Sequence, residues 1–150
     1  MKHLVTSVYV SIIFAAIGLL YPLDAWAQSE RLGIVQYTAP KGMTKTQKEN
    51  VVAFSTFDQA TSKYCLITVY GATPGTGDAK KDFTREWTNL VVKTMGAAAE
   101  PQTEALVSEG WNILAGGSAV ETEAGKAVAF LTVISGTDRT VSILAVFNDP

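Results

Sequence analysis

The sequence predicts an α+β domain: an antiparallel β-sheet of about six or seven strands with one amphipathic helix packed on one face. Three observations lead there. The last part of the chain reads as three strands in succession, Trp111–Glu121, Ala127–Ser135 and Thr140–Phe147, joined by the short turns Glu123-Ala124-Gly125-Lys126 and Gly136-Thr137-Asp138-Arg139. One stretch, Ala79 to Met95, carries a helical stripe. Glycine-bearing turns recur about every eight to twelve residues, a spacing that favours strands over helices. Turns this short make neighbouring strands antiparallel.

The N-terminus reads as an address. Met1-Lys2-His3 is a basic lead, Leu4 to Leu20 is an apolar run, and Asp24-Ala25-Trp26-Ala27-Gln28 closes it. Signal peptidase admits only small side chains beside the cut, so Ala25 and Ala27 place cleavage before Gln28. The alternative is an uncleaved membrane anchor, since the run is near the short limit for spanning. Cleavage leaves residues 28–150 as one domain with one core, secreted or periplasmic, with no membrane attachment thereafter. The leader takes Lys2 and Asp24 with it, so the formal charge stays at −2. Such a chain lacks the broad basic field that nucleic acid attracts, and nucleic acid is excluded as a partner.

Gln28 to Leu32 is expected to be a flexible new terminus. Gly33 to Tyr37 is a short strand, stopped by Ala39-Pro40-Lys41-Gly42. Lys41, Lys45 and Lys48 then fall in a solvated loop; an anion-binding patch is the other reading, weakened by Glu49 and by the want of an interleaved aromatic. Val51–Phe57 and Tyr64–Tyr70 form a hairpin around the polar turn Asp58–Lys63. Gly71 to Lys81 sits where a phosphate loop would, but its lysines follow Asp78-Ala79 and no Ser or Thr follows Lys81. It is read as a connection, with Asp78 capping the next helix.

In Ala79–Met95 the residues Phe83, Trp87, Leu90, Val91 and Met95 form one apolar stripe. Lys80, Lys81, Arg85, Glu86 and Lys93 are assigned to the wet side, and Gly96 stops the helix. Ala97–Gln102 connects to a strand over Thr103–Ser108, which turns at Glu109-Gly110. Gly116-Gly117 signals a bulge or a close backbone approach. Val128, Phe130 and Ile134 face one way, and Ala129, Leu131 and Val133 the other. With both faces apolar, this strand should be covered on both.

Few residues suit catalysis. The one histidine, His3, lies in the leader, so Ser-His-Asp and His-zinc chemistry are not expected in the mature domain. Cys65 is the one cysteine, so no intramolecular disulfide can form; its functional reading is a reactive thiol or an intermolecular bridge, and a small buried apolar strand residue fits better. Glu121 and Glu123 flank one turn, whereas a glycosidase needs carboxyls on both sides of the bond. No catalytic residue, metal site or cofactor is assigned. The candidate contact residues are Trp111 and Ile113, which share a face; Trp111 suits either sugar stacking or core anchoring. The expected function is a non-catalytic binding or assembly module for a protein or small-molecule ligand. The alternatives are a carboxylate-based, carbohydrate-active enzyme, or a carrier of an apolar ligand with a cavity between helix and sheet.

Asn148-Asp149-Pro150 reads as a helix start. One helix covers about one face of a sheet apolar on both, so the expectation is a truncated chain that lacks a closing C-terminal helix; the alternative is that the uncovered face meets a partner or an apolar ligand.

The stretches Tyr37-Thr38-Ala39-Pro40-Lys41-Gly42-Met43-Thr44-Lys45, Glu86-Trp87-Thr88-Asn89-Leu90-Val91, Gly110-Trp111 and Ser142–Asp149 resemble a family of uncharacterised secreted bacterial proteins. In that family tryptophan usually follows Pro-Lys-Gly, where this chain has Met43. The resemblance spans nearly all of the mature chain and implies an envelope location and a further C-terminal helical segment, with no catalytic residues. More distantly, the order of elements is similar to the Mog1/PsbP-like fold, which implies a binding or assembly role at the level of fold alone.

Overall fold

The computed structural model describes residues 29–96 and 98–148. It is an α+β arrangement in which ten strands form two antiparallel sheets. The leader residues Ala25, Ala27 and Gln28, and the helix start proposed at Asp149-Pro150, lie outside the described residues.

The strands are β1 (Ser29–Leu32), β2 (Val35–Thr38), β3 (Thr44–Lys48), β4 (Val51–Asp58), β5 (Lys63–Tyr70), β6 (Thr73–Pro74), β7 (Glu104–Ser108), β8 (Trp111–Thr122), β9 (Gly125–Ser135) and β10 (Arg139–Phe147). The large sheet runs β3-β4-β5-β10-β9-β8-β7, with β6 pairing the start of β10; β1 and β2 form a separate hairpin. The C-terminal meander is the predicted one, in continuous register: Ile143 lies opposite Thr132, and Leu114 opposite Val133.

Among the described residues there is one helix, α1, which begins as α-helix over Ala79–Trp87, passes through a π-helical turn at Thr88–Val92 and ends at Lys93–Met95. Asp78 caps it, its carboxylate accepting from the Lys80 and Lys81 amides at 3.0 and 3.1 Å. Gly96, at φ 91, ends it where a side chain would be strained. Phe83, Trp87 and Val91 are buried against Ala129, Leu131, Val133, Leu144 and Val146. The phenylalanine and tryptophan rings stack with centroids 6.1 Å apart.

Four expectations are corrected. Ser29–Leu32 is a strand, not a loose terminus: it pairs with β2, and Leu32 is buried on Val52, Phe54 and Val69. Thr44–Lys48 is also a strand rather than a loop, since each residue finds a partner on β4. Glu86 is buried, not wet. Lastly, the sheet is not covered on both faces. α1 covers the centre of one face, leaving Phe57 of β4 and Val107 of β7 63% and 68% exposed towards its edges. The β1–β2 hairpin caps only the β4–β5 half of the other face, through Tyr37 set edge-on to Phe54 at 5.8 Å. On the β8–β9 half Phe130 is left 42% exposed.

Gly116-Gly117 interrupts no pairing, so there is no bulge. Close approach is the reason for both glycines. A Cβ on Gly116 would lie 2.7 Å from the Gln102 carbonyl, and one on Gly117 would lie 2.8 Å from the Phe130 ring.

Candidate functional site

Two regions merit the description. The first is the predicted pair Trp111 and Ile113. Trp111 opens β8 and its ring packs on Gly136, where a Cβ would come within 2.8 Å of Cζ3. It is half-buried, an anchor for the β9–β10 turn rather than a free platform. Ile113 lies between Leu106 of β7 and Ile134 of β9. Alternation puts Leu106, Ile113, Phe130 and Ile134 on the face opposite α1. Leu106 is 61% and Phe130 42% exposed, Ile113 and Ile134 are half-buried, and Thr132 lies between Ile134 and Phe130 on this partly open face.

The second region is polar and lies under α1. Asp82 and Glu86 are one helical turn apart and point into the sheet, although the lysines around them face water. They meet hydroxyls on the matching face of the meander. Ser135 of β9 donates a short hydrogen bond to Asp82 Oδ2, and Ser142 of β10 donates to Glu86 Oε2 at 3.2 Å. The Thr76 amide donates to Asp82 Oδ1 at 3.0 Å. Arg85 joins the two carboxylates, with Nη1 3.1 Å from Asp82 Oδ1 and Nε 2.9 Å from Glu86 Oε1. Burial disfavours the ionised form of Asp82, but the hydrogen bonds from Ser135 and the Thr76 amide outweigh it and hold the carboxyl below its usual range.

Beside Glu86 the surface opens into a cleft of about 490 Å³, lined among others by Asn50, Tyr70, Arg85 and Asn89. Burial pushes the Tyr70 phenol upward, and the Glu86 charge adds to this. Glu86 borders the cleft and Asp82 does not, and the oxygens of both are engaged by internal donors. The arrangement locks the helix on the sheet more readily than it serves a substrate.

The remaining candidates are scattered. Glu121 is exposed one residue before the end of β8, and Glu123 lies in the following turn. Cys65 is free and half-buried on β5. Lys45 forms an ion pair with Glu30 and lies 5.6 Å over the Tyr37 ring, so it is already partnered, while Lys41 and Lys48 are exposed. Among the described residues no group of three or more His, Cys, Asp or Glu could hold a metal ion, and no helix is long and apolar enough to cross a membrane.

The chain matches no protein-family model, no curated protein and no solved structure.

Proposed function

We propose that this chain is an exported, non-catalytic binding or assembly module of the bacterial cell envelope. The observation that carries the reading is the open half of the sheet. Leu106 and Phe130 are exposed there and Ile113 and Ile134 half-buried, whereas the other half of the same face is capped by its own hairpin. An exposed apolar surface costs solubility unless something meets it. Export is supported by the sequence of residues 1–27, and the resemblance to uncharacterised secreted proteins and, more distantly, to the Mog1/PsbP-like fold is part of the same proposal. Against a carboxylate enzyme, Asp82 and Glu86 are engaged by Ser135, Thr76, Arg85 and Ser142. Against an apolar carrier, the space between helix and sheet is filled by Phe83, Trp87, Val91, Leu131 and Val133.

The test is a photo-crosslinking residue at Phe130, with a control at exposed Lys93, in the producing cell. The expected result is a discrete product from position 130 alone, on protein recovered outside the cytoplasm and beginning at Gln28. Cytoplasmic protein with its leader intact, or no product above the control, would overturn the proposal.

A further inference from the structure

We infer that the β7 edge is a self-association surface, through which two copies of this chain join into one continuous antiparallel sheet. The large sheet ends in two edge strands, β3 and β7. They are treated differently by the sequence. β3 reads Thr-Lys-Thr-Gln-Lys, and lysines are a standard guard against edge pairing. β7 reads Glu-Ala-Leu-Val-Ser, every residue is exposed, and Leu106 and Val107 stand 61% and 68% open. It carries neither lysine nor proline.

The hydrogen-bonding pattern of β7 fits a second copy of itself. Glu109 and Gly110 both have positive φ, 51 and 82, which is the two-residue turn of a tight hairpin. Such a turn makes the flanking pair, Ser108 and Trp111, a hydrogen-bonded one. Bonded and non-bonded pairs then alternate. Leu106 and Glu104 also bond to β8, while the N–H and C=O groups of Ala105 and Val107 point away from the sheet. A two-fold axis through Leu106 sets Ala105 against Val107 of the second copy, and Val107 against Ala105. The free groups on the two strands therefore meet one another. The two Leu106 side chains form the close, non-bonded pair at the centre. Glu104 falls opposite Ser108, so no like charges face each other. The axis is normal to the sheet, and the two partly open faces continue into one another on the same side.

A five-residue edge is a small interface, so dissociation should lie in the range of about 10 to 100 μM. The experiment is sedimentation equilibrium on the full chain, in the form the cell delivers, up to about 500 μM. A monomer–dimer equilibrium is expected. Val107→Pro removes an outward N–H that the monomer does not use, and Leu106→Lys sets two charges face to face. Each should weaken the dimer at least about tenfold, with folding checked by circular dichroism. Phe130→Ser alters that face and not the edge, and should leave the constant within about twofold. This inference does not rest on the proposed function, because the crosslink at position 130 and the edge variants fail independently. A monomer at every concentration, species larger than a dimer, or a dimer indifferent to both edge variants would overturn it.

Discussion

Removal of the Asp82 carboxylate tests how the helix is held. In Asp82→Ala, Ser135 keeps its place at 1% exposure and loses its acceptor. A charge-assisted bond of this kind is worth about 1.5–3 kcal/mol, with more lost when the buried hydroxyl is left unpaired. The Thr76 amide adds about 1 kcal/mol at most, since Thr76 is exposed and water can replace the carboxylate. The Arg85 ion pair adds little, because that side chain is 34% exposed and solvent screens it. The expected loss is about 3–4 kcal/mol, near the low end for a broken buried pair. At roughly 4 °C per kcal/mol, the melting temperature should fall by about 12–16 °C. Asp82→Asn keeps an acceptor and should lose about half as much. Urea unfolding at neutral pH with a constant m-value is the assay. In a double-mutant cycle with Ser135→Ala the pair should be non-additive by about 1–2 kcal/mol. A loss below about 1 kcal/mol, or additivity within about 0.5 kcal/mol, would refute the claim that this contact locks the helix to the sheet.

Acid should act through the same group. Its folded pKa is depressed, so its contribution is complete above the unfolded value of 3.8 and is lost as pH falls through the folded one. Urea midpoints should show the wild-type advantage over Asp82→Asn shrinking below about pH 4; an advantage that grows there would contradict it. Gly116→Ala should cost about 1–3 kcal/mol in thermal melting, because its Cβ would lie 2.7 Å from the Gln102 carbonyl and the backbone must give way. Gly42→Ala meets nothing within 4 Å, though its φ of 77 still strains the variant, so its loss should be the smaller of the two. Tyr70 should titrate above the ordinary phenol range by ultraviolet difference spectroscopy, and Glu86→Gln should bring it part of the way back.

The main sheet was legible because its strands carry β-branched runs between glycine turns, and Val128–Ile134 is the plainest of them. The helix was legible through Phe83, Trp87 and Val91, whose spacing overrides the polar residues between. The errors share a cause: tertiary partners that leave no local signature. Thr44–Lys48 has no apolar alternation, and it becomes a strand only because β4 offers it a ladder. Ser29–Leu32 is fixed by Leu32 reaching a core made elsewhere in the chain. Glu86 was assigned to the wet side of an amphipathic helix, and Asp82 was not singled out. One cue was present: they lie one and two turns from Asp78 on the edge of the apolar stripe, and the meander opposite carries Ser135, Thr140 and Ser142 where an apolar core would have none. The partly open face around Ile113 was half-seen. Its companion Trp111 went to anchoring Gly136, while Phe130 and Leu106, the more open residues, were read as core and as strand filler.

The account turns on a sheet covered at the centre of one face by α1 and left half open on the other. Hydroxyl-radical footprinting of the purified monomer compares the two faces in one experiment. Phe130 and Leu106 should be oxidised quickly, while Phe83 and Trp87, at 0% and 1% exposure, stay protected until the protein unfolds. Protection of Phe130 equal to that of Phe83 would contradict the open face and the proposals built on it.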